Sequence, residues 1–332
     1  MSLFSHPVTA HLYGMISFAV VTVFTGLLPF STKHLNVKKI VILLVIAAVA
    51  YGCKTHFPVV SSQVAGAVGE ANLENGKNLA FNVCGQCHYN YHINSFSGEE
   101  MRDLPNFMGH VYSANLTHGH VIDKYSDKEL FYLIKTGIKK DGRFIPYMIR
   151  PTIADRDLWD IIAYLRSNDE PLKNSDATPG TTHLSFLGKL ASKIGGKPQE
   201  FKVGTPQPPG DAVKQGRYLV DIVGCYHCHS KGVLGLNYGN PEDSKGYMAG
   251  GMKFNIDGDR IYASNLTPDM NTGIGKYTQS AFRKAVRDGM AMSGRELHYP
   301  MRRFKHMTDE QCDAIFAYIK TLQPVDHTVR GH

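Results

Sequence analysis

The pentapeptide Cys-x-x-Cys-His occurs twice in this chain, as Cys84-Gly85-Gln86-Cys87-His88 and as Cys225-Tyr226-His227-Cys228-His229. That spacing is the attachment signature of c-type haem. Two thiols on one turn reach the two vinyl groups of the porphyrin. The histidine that follows lies beneath the iron and supplies a nitrogen, a donor that suits this metal. Other readings of a cysteine pair are weaker. Structural zinc sites leave roughly 12–20 residues between their pairs, whereas 137 separate these. A thioredoxin-like dithiol gives no reason for either histidine, and chance explains one such pentapeptide better than two. The reading is two covalently bound haem c groups. The remaining cysteines, Cys53 and Cys312, read as small buried hydrophobes.

The chain after residue 70 is one module written twice. Gly76-Lys77-Asn78-Leu79 begins eight residues before Cys84, and Gly216-Arg217-Tyr218-Leu219 nine before Cys225. Ser113-Ala114-Asn115-Leu116-Thr117 matches Ala263-Ser264-Asn265-Leu266-Thr267, and Ile161 to Leu165 matches Ile315 to Ile319. The offset drifts only from 141 at the first cysteines to 154 at the last helices. Each module opens on a helical stretch carrying the Cys pair and closes on an amphipathic helix. The last helix has Thr308 as its N-cap, Asp309 and Glu310 in its first turn, and Ile315, Phe316 and Ile319 on one face. Neither module shows alternating strand patterns, so the fold is expected to be mostly α. The expected domains are 70–170 and 211–326. The linker, 171–210, is rich in proline, carries a short amphipathic helix within Leu184 to Ile194, and reads as an ordered strap.

Iron held by histidine on one side is open on the other, and a methionine there closes it and raises its potential. Ile145-Pro146-Tyr147-Met148 and Tyr299-Pro300-Met301 stand at equivalent places in the two modules. The proline upstream stiffens each loop. Met148 and Met301 are therefore the candidate sixth ligands, opposite His88 and His229. Met108, Met248, Met252, Met290, Met292 and Met307 have no such pairing, and His110, His118, His120, His298 and His306 are rival ligands of a different class. Asn115, Thr117, Asn265, Thr267 and Arg260 are candidates for holding the haem propionates, with a plain Asx or ST turn the alternative for the Asn-Leu-Thr segments.

Residues Leu12 to Phe30 run for 19 positions without a charge. At 1.5 Å per residue they reach about 28 Å, close to a bilayer core. Ile40 to Cys53 is a second apolar run between Lys39 and Lys54, lengthened by snorkelling lysines and by Phe57 to Val60. Residues 1–60 thus read as a membrane anchor of two helices, about 11–30 and 38–57. Lys33, Lys38 and Lys39 between the runs place that loop in the cytoplasm, and the domains after it face the periplasm. A lipoprotein-like signal ending at Cys53 is the alternative, with the same outcome. The formal charge of +7 comes from 36 basic and 29 acidic residues with no long basic run. This excludes nucleic acid as the natural partner and suits acidic protein partners or an anionic membrane surface.

Ala249-Gly250-Gly251, Ile261 to Asp269, Thr272-Gly273-Ile274-Gly275, Ala285 to Gly289, Tyr299-Pro300-Met301 and Ala317-Tyr318 resemble the multihaem cytochrome c subunit of membrane-bound alcohol and gluconate dehydrogenases, and related dihaem cytochromes. The resemblance is specific through 216–325, looser in 76–170, and does not reach 1–60. It implies covalent haem at Cys84, Cys87, Cys225 and Cys228, with His88, Met148, His229 and Met301 on iron. It also implies electron transfer from a dehydrogenase partner towards quinone or an oxidase. Two features depart from it. Arg302 stands where the family usually has proline, and the chain has two haem modules with an N-terminal anchor where those subunits usually have three haems and a C-terminal anchor.

The chain is thus expected to be an electron-relaying dihaem cytochrome c of the bacterial inner membrane. Its expected partners are the membrane and redox subunits: a dehydrogenase, a quinol-oxidising complex or a terminal oxidase. The enzymatic alternative is a dihaem peroxidase or thiosulfate-oxidising type with one open iron. A third reading is a structural subunit whose spans dock into a respiratory complex.

Overall fold

A computed structural model describes residues 40, 56–67, 69–177, 179–194 and 198–330. The chain divides into two units, Met1–Cys53 and Lys54–His332. The two expected membrane helices lie outside the described residues, apart from a few positions at the edges of the second. No helix among the described residues is long and apolar enough to cross a membrane. Residues 57–60, which the sequence lends to the second span, are not helical. The Phe57 ring packs edge-on against Phe144 at 5.8 Å, and its N–H donates to the Gly142 carbonyl at 2.8 Å.

The described part is mostly helical, and its two halves are built alike. In the first, α1 (Leu73–Leu79) runs through a π turn at Ala80–Cys84 into α2 (Gly85–His88). α3 (Asp127–Thr136) and α4 (Asp155–Leu165) follow, and α1 packs across α4. After the strap helix α5 (Phe186–Ile194), the second half repeats the plan. Its elements are α6 (Ala212–Val223), α7 (Cys225–Cys228), α8 (Gln279–Asp288) and α9 (Asp309–Ile319), with α6 across α9.

The repeated glycines decide the crossings. A Cβ on Gly76 would lie 2.0 Å from the Asp160 carbonyl oxygen, and one on Gly216 1.8 Å from that of Ala314. Without side chains there, the backbones meet and ridges on either side interdigitate. Beyond the crossing each helix changes phase before its cysteines. The first half uses the π turn; the second breaks at left-handed Gly224 and restarts. The one-residue difference in Gly-to-Cys spacing is absorbed at these points. Local chemistry fixes the other helices. Ser126 and Thr308 form capping boxes with Glu129 and Gln311, satisfying N–H groups that a helix start leaves open. Gly137 and Gly289 close α3 and α8 in the left-handed conformation, where glycine costs least.

The expectation of no strand pattern is corrected in the second half. β3 (Lys253–Ile256) and β4 (Asp259–Tyr262) pair antiparallel around Asp257-Gly258, a two-residue turn with both residues at positive φ. The Asp-Gly pair and the alternating burial of Lys253 to Ile256 are a hairpin signal that the sequence contained. The strap is fastened to the first half. β1 (Gly109–His110) and β2 (His183–Leu184) pair antiparallel. Further on, Asp155 donates its N–H to Thr205 O at 3.0 Å, and Phe201 packs on Tyr132 with rings 5.1 Å apart.

Candidate haem attachment sites

Each motif histidine is aimed by the same bond. His88 Nδ1 donates to the Ala114 carbonyl at 2.8 Å, and His229 Nδ1 donates to the Ser264 carbonyl at 2.8 Å. With the proton on Nδ1, the lone pair sits on Nε2, the arrangement an iron-ligating imidazole needs. Both rings are buried, and burial lowers the pKa of His88.

The acceptor carbonyls precede Asn115 and Asn265. Asn115 Oδ1 accepts from the N–H and hydroxyl of Thr117 at 2.9 and 2.7 Å, while its amide donates to Ser175 O at 2.9 Å. Asn265 repeats this, with 2.9 and 2.7 Å to Thr267 and 2.8 Å to Val325 O. The Asn-Leu-Thr segments are therefore buried Asx turns tied to a neighbouring strand of chain. Their polar atoms are engaged inside the protein, and their visible work is to hold the carbonyl that aims the histidine. Gly98 and Gly250 press on the same segments: each N–H donates at 2.9 Å to the carbonyl of His88 or His229. A Cβ on either would fall 2.5 Å from Ser113 or Ser264 backbone. Arg260 is exposed on β4.

The four motif thiols are free of disulfides. Burial pushes Cys84 up to about 12, Cys87 to about 11, and Cys225 and Cys228 to about 12. A redox dithiol needs a stabilised thiolate, and these sites oppose one. Among the described residues no three His, Cys, Asp or Glu side chains converge as a metal site, so the pairs do not combine into one zinc centre. A haem fits better. Gln86 Nε2 and His227 Nε2, at the same position of the two pentapeptides, are buried without a hydrogen-bond partner, as are Ser97 Oγ, Ser230 Oγ and Arg302 Nε. Buried polar atoms ordinarily find partners, and Gln86, His227 and Ser230 lie within or next to the pentapeptides, where a covalently attached group would sit.

Met148 ends a turn at Pro146–Met148 and packs against the core. Met301 lines a cavity of about 300 Å³ with Tyr91, Tyr299 and Arg302. A larger cavity of about 750 Å³ opens between Tyr91, Glu99 and Arg102 of the first half and Tyr299 and Arg302 of the second. Of the rival histidines, His298 lines the same cavity as Met301, and others have partners elsewhere. His110 meets Glu100 at 2.7 Å, His118 Nε2 bonds Ser167 O at 2.8 Å, and His306 stacks on Phe81 at 3.7 Å. Met108, Met248, Met252 and Met307 are buried in apolar clusters or turns. Cys312 is buried in α9, which pushes its thiol up to about 11; Cys53 lies outside the described residues.

No family model matches the chain. It is 31% identical over 153 residues to the fructose dehydrogenase cytochrome subunit of Gluconobacter japonicus, covering 45% of this chain and 28% of that one. It is 38% identical over 108 residues to the gluconate 2-dehydrogenase cytochrome c subunit of Pantoea cypripedii, covering 32% and 22%. It is 31% identical over 133 residues to the cytochrome c subunit of alcohol dehydrogenase (quinone) from Gluconobacter oxydans, covering 39% and 26%. The chain resembles the cytochrome c subunits of dehydrogenases. It spans about a quarter of the length of these curated relatives.

Proposed function

We propose that the chain is a membrane-anchored dihaem cytochrome c that relays electrons on the periplasmic side of the bacterial inner membrane. In this reading its two halves are tandem cytochrome c domains. Its partners are a dehydrogenase subunit as donor and a quinone-linked complex or terminal oxidase as acceptor. The observation that carries this reading is the equivalence of His88–Ala114 and His229–Ser264, which aims two imidazoles alike beside two Cys pairs.

Iron porphyrin bound at the motifs supplies a reversible one-electron couple. Cys84 and Cys87 hold the first group covalently, and Cys225 and Cys228 the second. His88 and His229 would each supply a nitrogen to iron, and Met148 and Met301 would each supply a thioether that keeps exogenous ligands out. Asn115 and Asn265 position the carbonyls that fix the imidazoles. The apolar packing around both motifs keeps water away, which favours the neutral ferrous centre over the charged ferric one.

The test is the intact mass of the full chain purified in mild detergent, with a haem stain after denaturation. Two covalent haems added to the 36.8 kDa polypeptide, halved by Cys225→Ala/Cys228→Ala, support the reading. The mass of the bare chain overturns it. Identification of a co-purifying dehydrogenase tests the partner, and a reduced spectrum unmoved by carbon monoxide tests closure of both irons.

A further inference from the structure

The loop bearing each methionine is pinned within its own half and tied by a side chain to the opposite half. In the first half this loop is pinned where Ile145 N–H donates to Gly137 O and Arg150 N–H donates to Ile134 O, both at 2.7 Å. The equivalent pins in the second are Leu297 to Gly289 at 2.6 Å and Phe304 to Val286 at 3.0 Å. Met148 lies between the first pair and Met301 between the second, and the second span is two residues longer.

An arginine follows each methionine and reaches across. Arg150 Nε donates to Ile222 O of α6 at 2.8 Å, three residues before Cys225, while its Nη1 returns to Ile149 O at 2.8 Å. Arg302 pairs with Glu99 of the first half, with the two side chains only 17% and 14% exposed. Its guanidinium lies between the rings of Tyr91 at 5.1 Å and Tyr299 at 4.7 Å. The Tyr299 hydroxyl donates to Asp103 Oδ1 at 2.6 Å. Glu99 is itself fastened to the first motif. Its N–H donates to Ser113 Oγ at 2.8 Å, and that hydroxyl donates to Cys87 O at 2.6 Å. A continuous set of bonds thus runs from Cys87 to the residue beside Met301.

We propose that Arg150 and Arg302 are crossed clasps, positioning residues that hold each methionine loop against the opposite half. The thioether then meets its iron only while the halves are docked. This rests on Met148 and Met301 being the axial ligands. The longer Met301 loop depends more on its clasp, because a ligand must be held to a fraction of an ångström and a longer span has more conformations to lose.

The experiment is a redox titration of the haem-loaded full chain, read together with the charge-transfer absorption of thioether-ligated ferric haem. Met148→Ala and Met301→Ala assign the two halves of that absorption. Expected are loss of the second half of the absorption and a fall in the second midpoint in both Arg302→Gln and Glu99→Gln, with recovery in Arg302→Lys. Arg150→Gln does the same to the first haem. A purely electrostatic role predicts opposite signs: removing the cation lowers the midpoint and removing the anion raises it. Opposite shifts with the absorption intact overturn the clasp, as do unchanged readouts alongside a lowered melting temperature. If Arg302→Gln fails to accumulate, the isosteric Glu99→Gln carries the same reading alone. An absorption unmoved by Met301→Ala overturns the ligand assignment, and the clasp with it.

Discussion

Gly216 touches Ala314 backbone to backbone, with room for nothing larger than hydrogen: a Cβ would stand 1.8 Å from the alanine carbonyl oxygen. Gly216→Ala gains helix propensity of about 1 kcal/mol, yet it must push α6 off α9. Overpacking of this kind costs about 1–3 kcal/mol, and here the obstacle is backbone that cannot turn aside. Net destabilisation is expected, with Gly76→Ala behaving alike in the first half. Denaturant unfolding of haem-loaded protein checks it, and an unchanged midpoint in both variants contradicts the close crossing.

Asn115→Ala and Asn265→Ala remove the acceptor for Thr117 or Thr267 and the donor to Ser175 or Val325. Leaving such buried groups unpaired costs about 1–3 kcal/mol. Each variant is expected to lose stability while its mass retains two haems, because the thioethers do not depend on the turn. Loss of a haem from the mass contradicts this separation of roles.

Burial pushes the Asp221 carboxyl up to about 7, against Arg217 and with help from Glu242. The native state holds a proton that the unfolded chain releases near the ordinary value of about 3.9. This contribution to stability is complete below that value and is lost as pH rises towards 7, at about 1.4 kcal/mol per pH unit. Asp221→Asn should flatten the decline between these limits. Melting temperatures across that window decide, and an unchanged slope sinks the assignment.

Lys135 has only 2% of its side chain exposed and lies 2.8 Å from Asp155 Oδ1. It also donates to Thr205 Oγ1 of the strap at 2.8 Å. Lys135→Met strands the carboxylate and frees the strap, with an expected loss of about 3 kcal/mol. Limited proteolysis should then cut within 198–210, where the parent protein resists.

The features legible in the sequence are those written in short, repeated words. The pentapeptides, the Gly76 and Gly216 landmarks, the Thr308 cap and the methionine loops all lie within a few residues of their own signals. The strap helix is also where its apolar spacing placed it, beginning at Phe186 because Leu184 is taken by pairing with Gly109. The Asn-Leu-Thr repeat was visible, but its work was not. Its preceding carbonyl meets a histidine 26 residues away in one half and 35 in the other, and carbonyls carry no sequence signature. Arg302 was visible only as an oddity after Met301. Its partner Glu99 is 203 residues distant, and nothing local announces such a meeting. The β3–β4 hairpin is announced by Asp257-Gly258, but its strands are only four residues each, too short for their alternation to stand out.

The strap is fastened at β2, again at Thr205, and the halves it joins also meet where His306 lies on Phe81. Among its described residues the connector is held down at points well apart along its course. Internal electron exchange should then be indifferent to solvent viscosity, and any sluggishness in turnover would belong to encounters with other proteins.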